Sequence, residues 1–225
     1  MDLTIRIPRP DDWHVHLRDG AMLEAVVGYT ASRFRYAMIM PNLNPPIAST
    51  ELADQYRQRI LRAAGNQSPE FQPLMTVYCS TNLDQDDLIR GHEAGIVKAV
   101  KYYPAGATTN SDHGGDNILN FIDLFETMAD QKIPLLVHAE STNHEIDLFD
   151  REAAFLEQEL HPLCEQVPNL QVTVEHVSTS AGVDFALAHQ RVAASVTPHH
   201  LARNSSDLMA PEFDPDLFCK TIILY

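Results

Sequence analysis

Basic residues are scarce in this sequence: 16 Lys and Arg stand against 31 Asp and Glu, a formal charge of −15. No basic stripe can follow a phosphate backbone, so nucleic acid is not an expected partner, and a small anion must be held by a locally placed cation or a metal. Cysteine is as sparse. Cys79, Cys164 and Cys219 are odd in number, far apart and outside any CxxC spacing, and they read as reduced core thiols. No run reaches the 18 apolar residues of a membrane span, and the opening MDLTIRIPRPDDW has acids and prolines where a signal peptide needs an apolar stretch. The expectation is a soluble, cytoplasmic chain without a membrane partner. No GxGxxG or P-loop follows the first apolar stretch, which argues against an open nucleotide-binding sheet.

What is present is regular alternation. A chain of 225 residues, 44% apolar, can build one ordinary core, and residues 1–225 read as a single domain. YAMIMP (36–41), LMTVYC (74–79), GIVKAVKYYP (95–104), IPLLVHAE (133–140), LQVTVEHV (170–177) and VAASVTP (192–198) have the length and apolar density of buried strands. The stretch before His16 makes seven. Helix patterns lie between them. Leu52, Tyr56 and Ile60 recur at four-residue spacing with Gly65 as a stop, and Ile118, Phe121, Ile122, Phe125 and Met128 form a second stripe. Strand and helix alternating at this repeat predict a parallel α/β sheet, and polar residues at the ends of the apolar runs favour a (β/α)8 TIM-type barrel, with seven of eight strands present.

Those strand ends carry the chemistry. His14 and His16 in WHVHLRDG are two apart, so on a strand both point to one face and can grip one ion. The alternative is a chance HxH at the surface. His138 closes IPLLVH and His176 closes LQVTVEH, where Val172, Val174 and His176 are expected to share a face. Either one alone reads as a core histidine bonded to a carbonyl, whereas four histidines at three strand ends read as a metal site. In GIVKAVKYYP, Lys101 shares a face with Val97 and Ala99 while Lys98 points away. A lysine aimed at a dication is driven towards the neutral amine, which can take up carbon dioxide as a metal-bridging carbamate; a lysine paired with a carboxylate at the rim is the equal alternative. Arg18 offers a planar fork for a carboxylate, Asn42 follows strand two, and PAGATTNSDHGG (104–115) could form a mobile lid or an ordinary loop.

Together WHVHLRDG, MPNLNPP, KYYPAGATTN, LLVHAE and VEHVST resemble, in order and context, the single-function bacterial dihydroorotases of the metal-dependent amidohydrolase superfamily. The resemblance implies a (β/α)8 barrel, two zinc ions per subunit, and interconversion of N-carbamoyl-L-aspartate and L-dihydroorotate in pyrimidine biosynthesis. Residue by residue, it makes His14 and His16 ligands of the more buried zinc, Lys101 the carboxylated lysine bridging both, and His138 and His176 ligands of the second. Arg18 and Asn42 match the holders of the substrate carboxylate, Thr108 and Thr109 match lid threonines, and His138 and Lys220 match further substrate contacts. It leaves a homodimer open.

The resemblance also places an aspartate, a metal ligand and general base, at the end of strand eight, beyond Tyr225. LFCK fits the family and TIILY departs from it, so the expectation is a chain truncated at its C-terminus by a frameshift or as a gene fragment. Two other functions stay open: a non-catalytic remnant that binds zinc or a partner, and a dihydropyrimidinase or hydantoinase acting on related rings.

Overall fold

A computed structural model describes residues 4–65 and 70–208. Seven strands form one sheet in sequence order, every neighbouring pair parallel. They are β1 (Asp12–Val15), β2 (Tyr36–Ile39), β3 (Gln72–Tyr78), β4 (Val97–Tyr102), β5 (Leu135–Val137), β6 (Val172–Val174) and β7 (Val192–Ala194). All seven expected strands are there. Parallel neighbours need a crossover, and helices supply it: α1 (Gly20–Arg33), α2 (Thr50–Ala64), α3 (Gln85–Glu93) and α4 (Ile122–Gln131) fill the first four gaps. Between β5 and β6 a continuous helical stretch runs from α5 (Arg151–Phe155) through a π-helical segment to α6 (His161–Gln166). After α7 (Ser180–Ala188) and β7 come the short α8 (Pro198–Ala202) and α9 (Ser205–Leu208).

The helices begin and end where their caps dictate. Ser49 accepts the Leu52 N–H at the start of α2, and Gly65, at φ 64°, follows its last turn. The stripe of α2 runs through Ala53, Tyr56 and Ile60, all fully buried, whereas Leu52 is 36% exposed. Ala53 lies three residues before Tyr56, so it, and not Leu52, faces the sheet. In the second stripe Ile118 to Phe121 form a 3-10 turn before α4, and Leu124 is buried where Ile122 is only partly so.

Two cores separate by strand alternation. Ala37 and Ile39, Met75 and Val77, Leu135 and Val137, and Val172 and Val174 join the helix side chains in the large core. Their alternates Met38, Met40, Ala99 and Leu136 form a second, smaller cluster on the opposite face of the sheet. The sheet curls around that smaller cluster. Five strand spacings of a flat sheet would hold β1 and β6 about 24 Å apart, yet the rings of His14 and His176 sit 5.1 Å centroid to centroid. The strand ends therefore converge on one mouth, as in a TIM-type barrel, with β1 and β7 as the two ends of the described sheet.

Candidate metal centre

The inner face explains most of the cluster. Lys101 follows Ala99 on β4 and His138 follows Leu136 at the end of β5, so alternation turns both inward, whereas Val97, expected on the face of Lys101, joins the large core because the β3–β4 register shifts between Val97 and Ala99. Val15 packs on the large core, leaving His14 and His16 for the inner side. His176 arrives differently. Val172 and Val174 face the helices, so straight alternation would turn His176 away from the mouth, contrary to the shared face expected from the sequence. A left-handed residue corrects this: His176 has φ 45°, and the turn brings its ring inward. Its N–H donates to Ser195 Oγ at 3.0 Å, and Glu152 clamps Ser178 and Thr179 just beyond it.

Four rings meet there. His14 Nε2 and His16 Nε2 are 3.1 Å apart. His14 packs edge to face on His176 at 5.1 Å, and His138 on His176 at 4.8 Å. Two imidazole nitrogens on one tetrahedral zinc would be separated by about 3.3 Å, so the His14–His16 pair has the spacing of two ligands of one ion. Burial pushes the His138 and His176 rings to lower pKa, strongly for His176, where His138, His14 and Lys101 add to it. Both are thus kept as neutral imidazoles, the form a metal needs. Among the described residues no three His, Cys, Asp or Glu side chains already surround one point, so the donors fit an ion by type and spacing without forming a finished cage.

Carboxylates that the sequence reading passed over surround the rings. Lys101 is fully buried and its Nζ donates to Glu175 Oε2, itself on a residue 1% exposed. This is the carboxylate pairing held open as the alternative for Lys101. Burial lowers the Lys101 pKa against the pull of Glu175; burial raises Glu175, but Lys101 and His14 outweigh it and hold the carboxyl down at about 2. Glu140 accepts from His138 Nε2 at 2.9 Å and lies 3.7 Å from Arg151 Nη1, leaving Nδ1 as the free donor atom of that ring. Alternation from Thr173 would have found Glu175 on the inner face, and Glu140 stands two residues after His138.

The expected substrate residues are partly brought together. Asn42 is buried; its Nδ2 donates to Thr109 O at 2.9 Å, and Asn110 Nδ2 donates to Asn42 O at 3.0 Å. Its Oδ1 has no hydrogen-bond partner among the described residues. Segment 104–115 is thus a tied loop, closed at its base by pairing of Pro104 with Gly115 and pinned at its tip to Asn42. Thr108 is partly buried and Thr109 exposed. Arg18, at φ 58°, gives its carbonyl to Tyr56 OH at 2.6 Å and lines a cleft of about 260 Å³ with Asn44, Pro45, Arg59 and Asn110. Lys220 and Cys219 lie outside the described residues.

An inner ring of histidines and a lysine lies at the C-terminal mouth of a parallel α/β sheet, and the amidohydrolase family profile matches residues 10–209. The chain belongs to that family. Within it, the dihydroorotase of Rhizobium rhizogenes is 49% identical over 220 residues, 96% of this chain and 62% of the relative. The crystal structure of dihydroorotase from Campylobacter jejuni superposes with a TM-score of 0.88 at 35% identity, covering 96% of this chain and 62% of the other. Dihydroorotase from Saccharomyces cerevisiae, solved in complex with 5-fluoroorotic acid, gives 0.85 at 30% identity, with the same coverage. The chain therefore spans about 62% of the length of these relatives. No described helix is long and apolar enough to cross a membrane.

Proposed function

We propose that this chain carries the metal centre and part of the substrate site of a zinc-dependent cyclic amide hydrolase that interconverts N-carbamoyl-L-aspartate and L-dihydroorotate in pyrimidine biosynthesis. The observation that carries the reading is the convergence of His14, His16, His138 and His176 on the buried Lys101 side of one mouth. Similarity to dihydroorotases over 96% of the chain supports the choice of ring. His14 and His16 would hold the more buried zinc, and His138 and His176 the second. Lys101 would bridge them as a carbamate, formed when its neutral amine takes up carbon dioxide and releases a proton. Bound there, the ions would supply Lewis-acid polarisation of the amide carbonyl and an activated water.

The remaining work belongs to the chain itself. Arg18 offers a bidentate fork to the substrate carboxylate. Asn42 keeps one amide hydrogen and its Oδ1 for the substrate while its other hydrogen is engaged by the loop. Thr108 and Thr109 ride on that loop, so substrate and loop meet at Asn42. The reading implies a cytoplasmic chain whose partner is a small molecule, with a homodimer as the assembly to be measured.

The test loads the purified chain with zinc and bicarbonate, counts bound zinc, and offers dihydroorotate and dihydrouracil separately. Two ions per chain is the expected result, with any ring opening confined to dihydroorotate. Opening of dihydrouracil alone would transfer the reading to a dihydropyrimidinase. Fewer than two ions and no turnover would reduce the chain to a non-catalytic remnant.

A further inference from the structure

Among the described residues Glu175 is the one carboxylate paired with two of the expected ligands at once. Its Oε2 receives Lys101 Nζ, and its Oε1 lies 2.9 Å from His14 Nδ1. The second contact is short but too oblique for an aligned hydrogen bond. A rotation of the ring straightens it, as happens when a site tightens around its ligand. His14 is thereby divided: Nδ1 faces Glu175 while Nε2 faces His16 Nε2 at 3.1 Å. A carboxylate that takes one ring N–H fixes the tautomer and aims the other nitrogen.

Lys101 is held in the same way in either of its forms. An ammonium and a carbamate N–H both donate, so Glu175 can keep Nζ in place before and after modification. The position of the carboxylate is itself well fixed. The Glu175 N–H donates to Val137 O at 3.0 Å, and the left-handed His176 follows immediately. One peptide thus carries a metal-facing ring and the carboxylate that orients two other ligands.

We propose, resting on the metal-centre reading above, that Glu175 is its shared positioning residue, selecting the Nδ1–H tautomer of His14 so that Nε2 faces the ion, and tethering Nζ of Lys101 beside it. The test is spectroscopic and uses the chain as it stands, with nitrogen-15 in its histidines. Long-range proton–nitrogen correlation reads each ring's tautomer, with His14→Gln to assign the His14 signals, and competition with a chromogenic chelator reads zinc affinity. In the unsubstituted chain His14 should carry its proton on Nδ1. In Glu175→Leu it should move to Nε2 and zinc affinity should fall roughly ten- to a hundredfold. Glu175→Gln, whose carbonyl still accepts, should keep the tautomer and lose less.

Because Glu175→Leu leaves a buried ammonium without a partner, Lys101→Met/Glu175→Leu serves as the folded control, and His14 should show the Nε2–H form there too. An unchanged His14 tautomer in either leucine variant overturns the proposal, even if zinc binds normally. A chain that binds no zinc, but shows the expected tautomer shift, instead overturns the metal-centre reading and leaves the orientation of His14 by Glu175 standing.

Discussion

Substituting Glu152 tests how the turn behind His176 is held. Glu152, on α5 and 6% exposed, accepts from four donors: Ser178 N and Oγ at 3.0 Å each, Thr179 N at 3.0 Å and Thr179 Oγ1 at 2.6 Å. Thr179 in turn caps α7, accepting Gly182 N. Glu152→Ala removes both oxygens. The two main-chain donors cost about 1.5 kcal/mol each when charge-assisted bonds are lost, and the loosened cap costs about 1 kcal/mol. Ser178 and Thr179 are only partly buried, so water recovers part of this, and the net loss should be about 2–4 kcal/mol.

That loss should depend on pH. Burial pushes the Glu152 carboxyl above its ordinary 4.5 against the pull of its four donors. The folded chain therefore binds the proton first as pH falls. What Glu152 contributes is greatest below about 4.5 and declines as pH rises through the folded value. Urea unfolding of both chains, at several pH values, measures this. A loss under about 1 kcal/mol at unchanged m would refute the clamp, and a gap that widens with rising pH would refute the dominance of burial over the four donors.

Gly182→Ala places a Cβ 2.6 Å from Glu152 Oε1 and 3.0 Å from Val177 Cγ1, so it should cost about 1–3 kcal/mol in thermal unfolding, and less in the Glu152→Ala background. Lys101→Met strands the buried Glu175 carboxylate and should cost about 3–5 kcal/mol, most of it recovered in Lys101→Met/Glu175→Leu; additive losses in urea unfolding would contradict the pairing. Cys164, with burial pushing its thiol up to about 11, should be alkylated by iodoacetamide at pH 8 at least tenfold more slowly than a free thiol, with the rate still climbing above pH 10. Fully buried Cys79 should react only on unfolding, which mass mapping distinguishes.

Strand order was legible because each buried parallel strand is a continuous apolar run, and nothing but a helix fits between two of them. The inner-face cluster was legible for a related reason: His14, His16, Lys101 and His138 all obey the two-residue period that the inner face imposes. Leu52 misled because four-residue spacing is only one of the two that a helix face uses, and Ala53 gave too weak an apolar signal to compete with it. The loop 104–115 could not be read as tied, since the side-chain amides of Asn42 and Asn110 donate to main-chain carbonyls, of Thr109 and Asn42, about which residue type says nothing.

The face of His176 failed for a deeper reason, and it bears on how the site works. Its φ of 45° is a main-chain choice that a histidine adopts at a cost, and no period announces it. The cost is met locally by Ser195, which receives the His176 N–H and whose own N–H returns to Val174 O, and by Glu152, which grips Ser178 and Thr179. Because the chain reverses there, the consecutive residues Glu175 and His176 both serve the mouth, which a regular strand forbids. A site in which the fold spends backbone strain to bring a fourth ring beside three others is built for those rings to act together, and the clamp at Glu152 is where that construction is most directly tested.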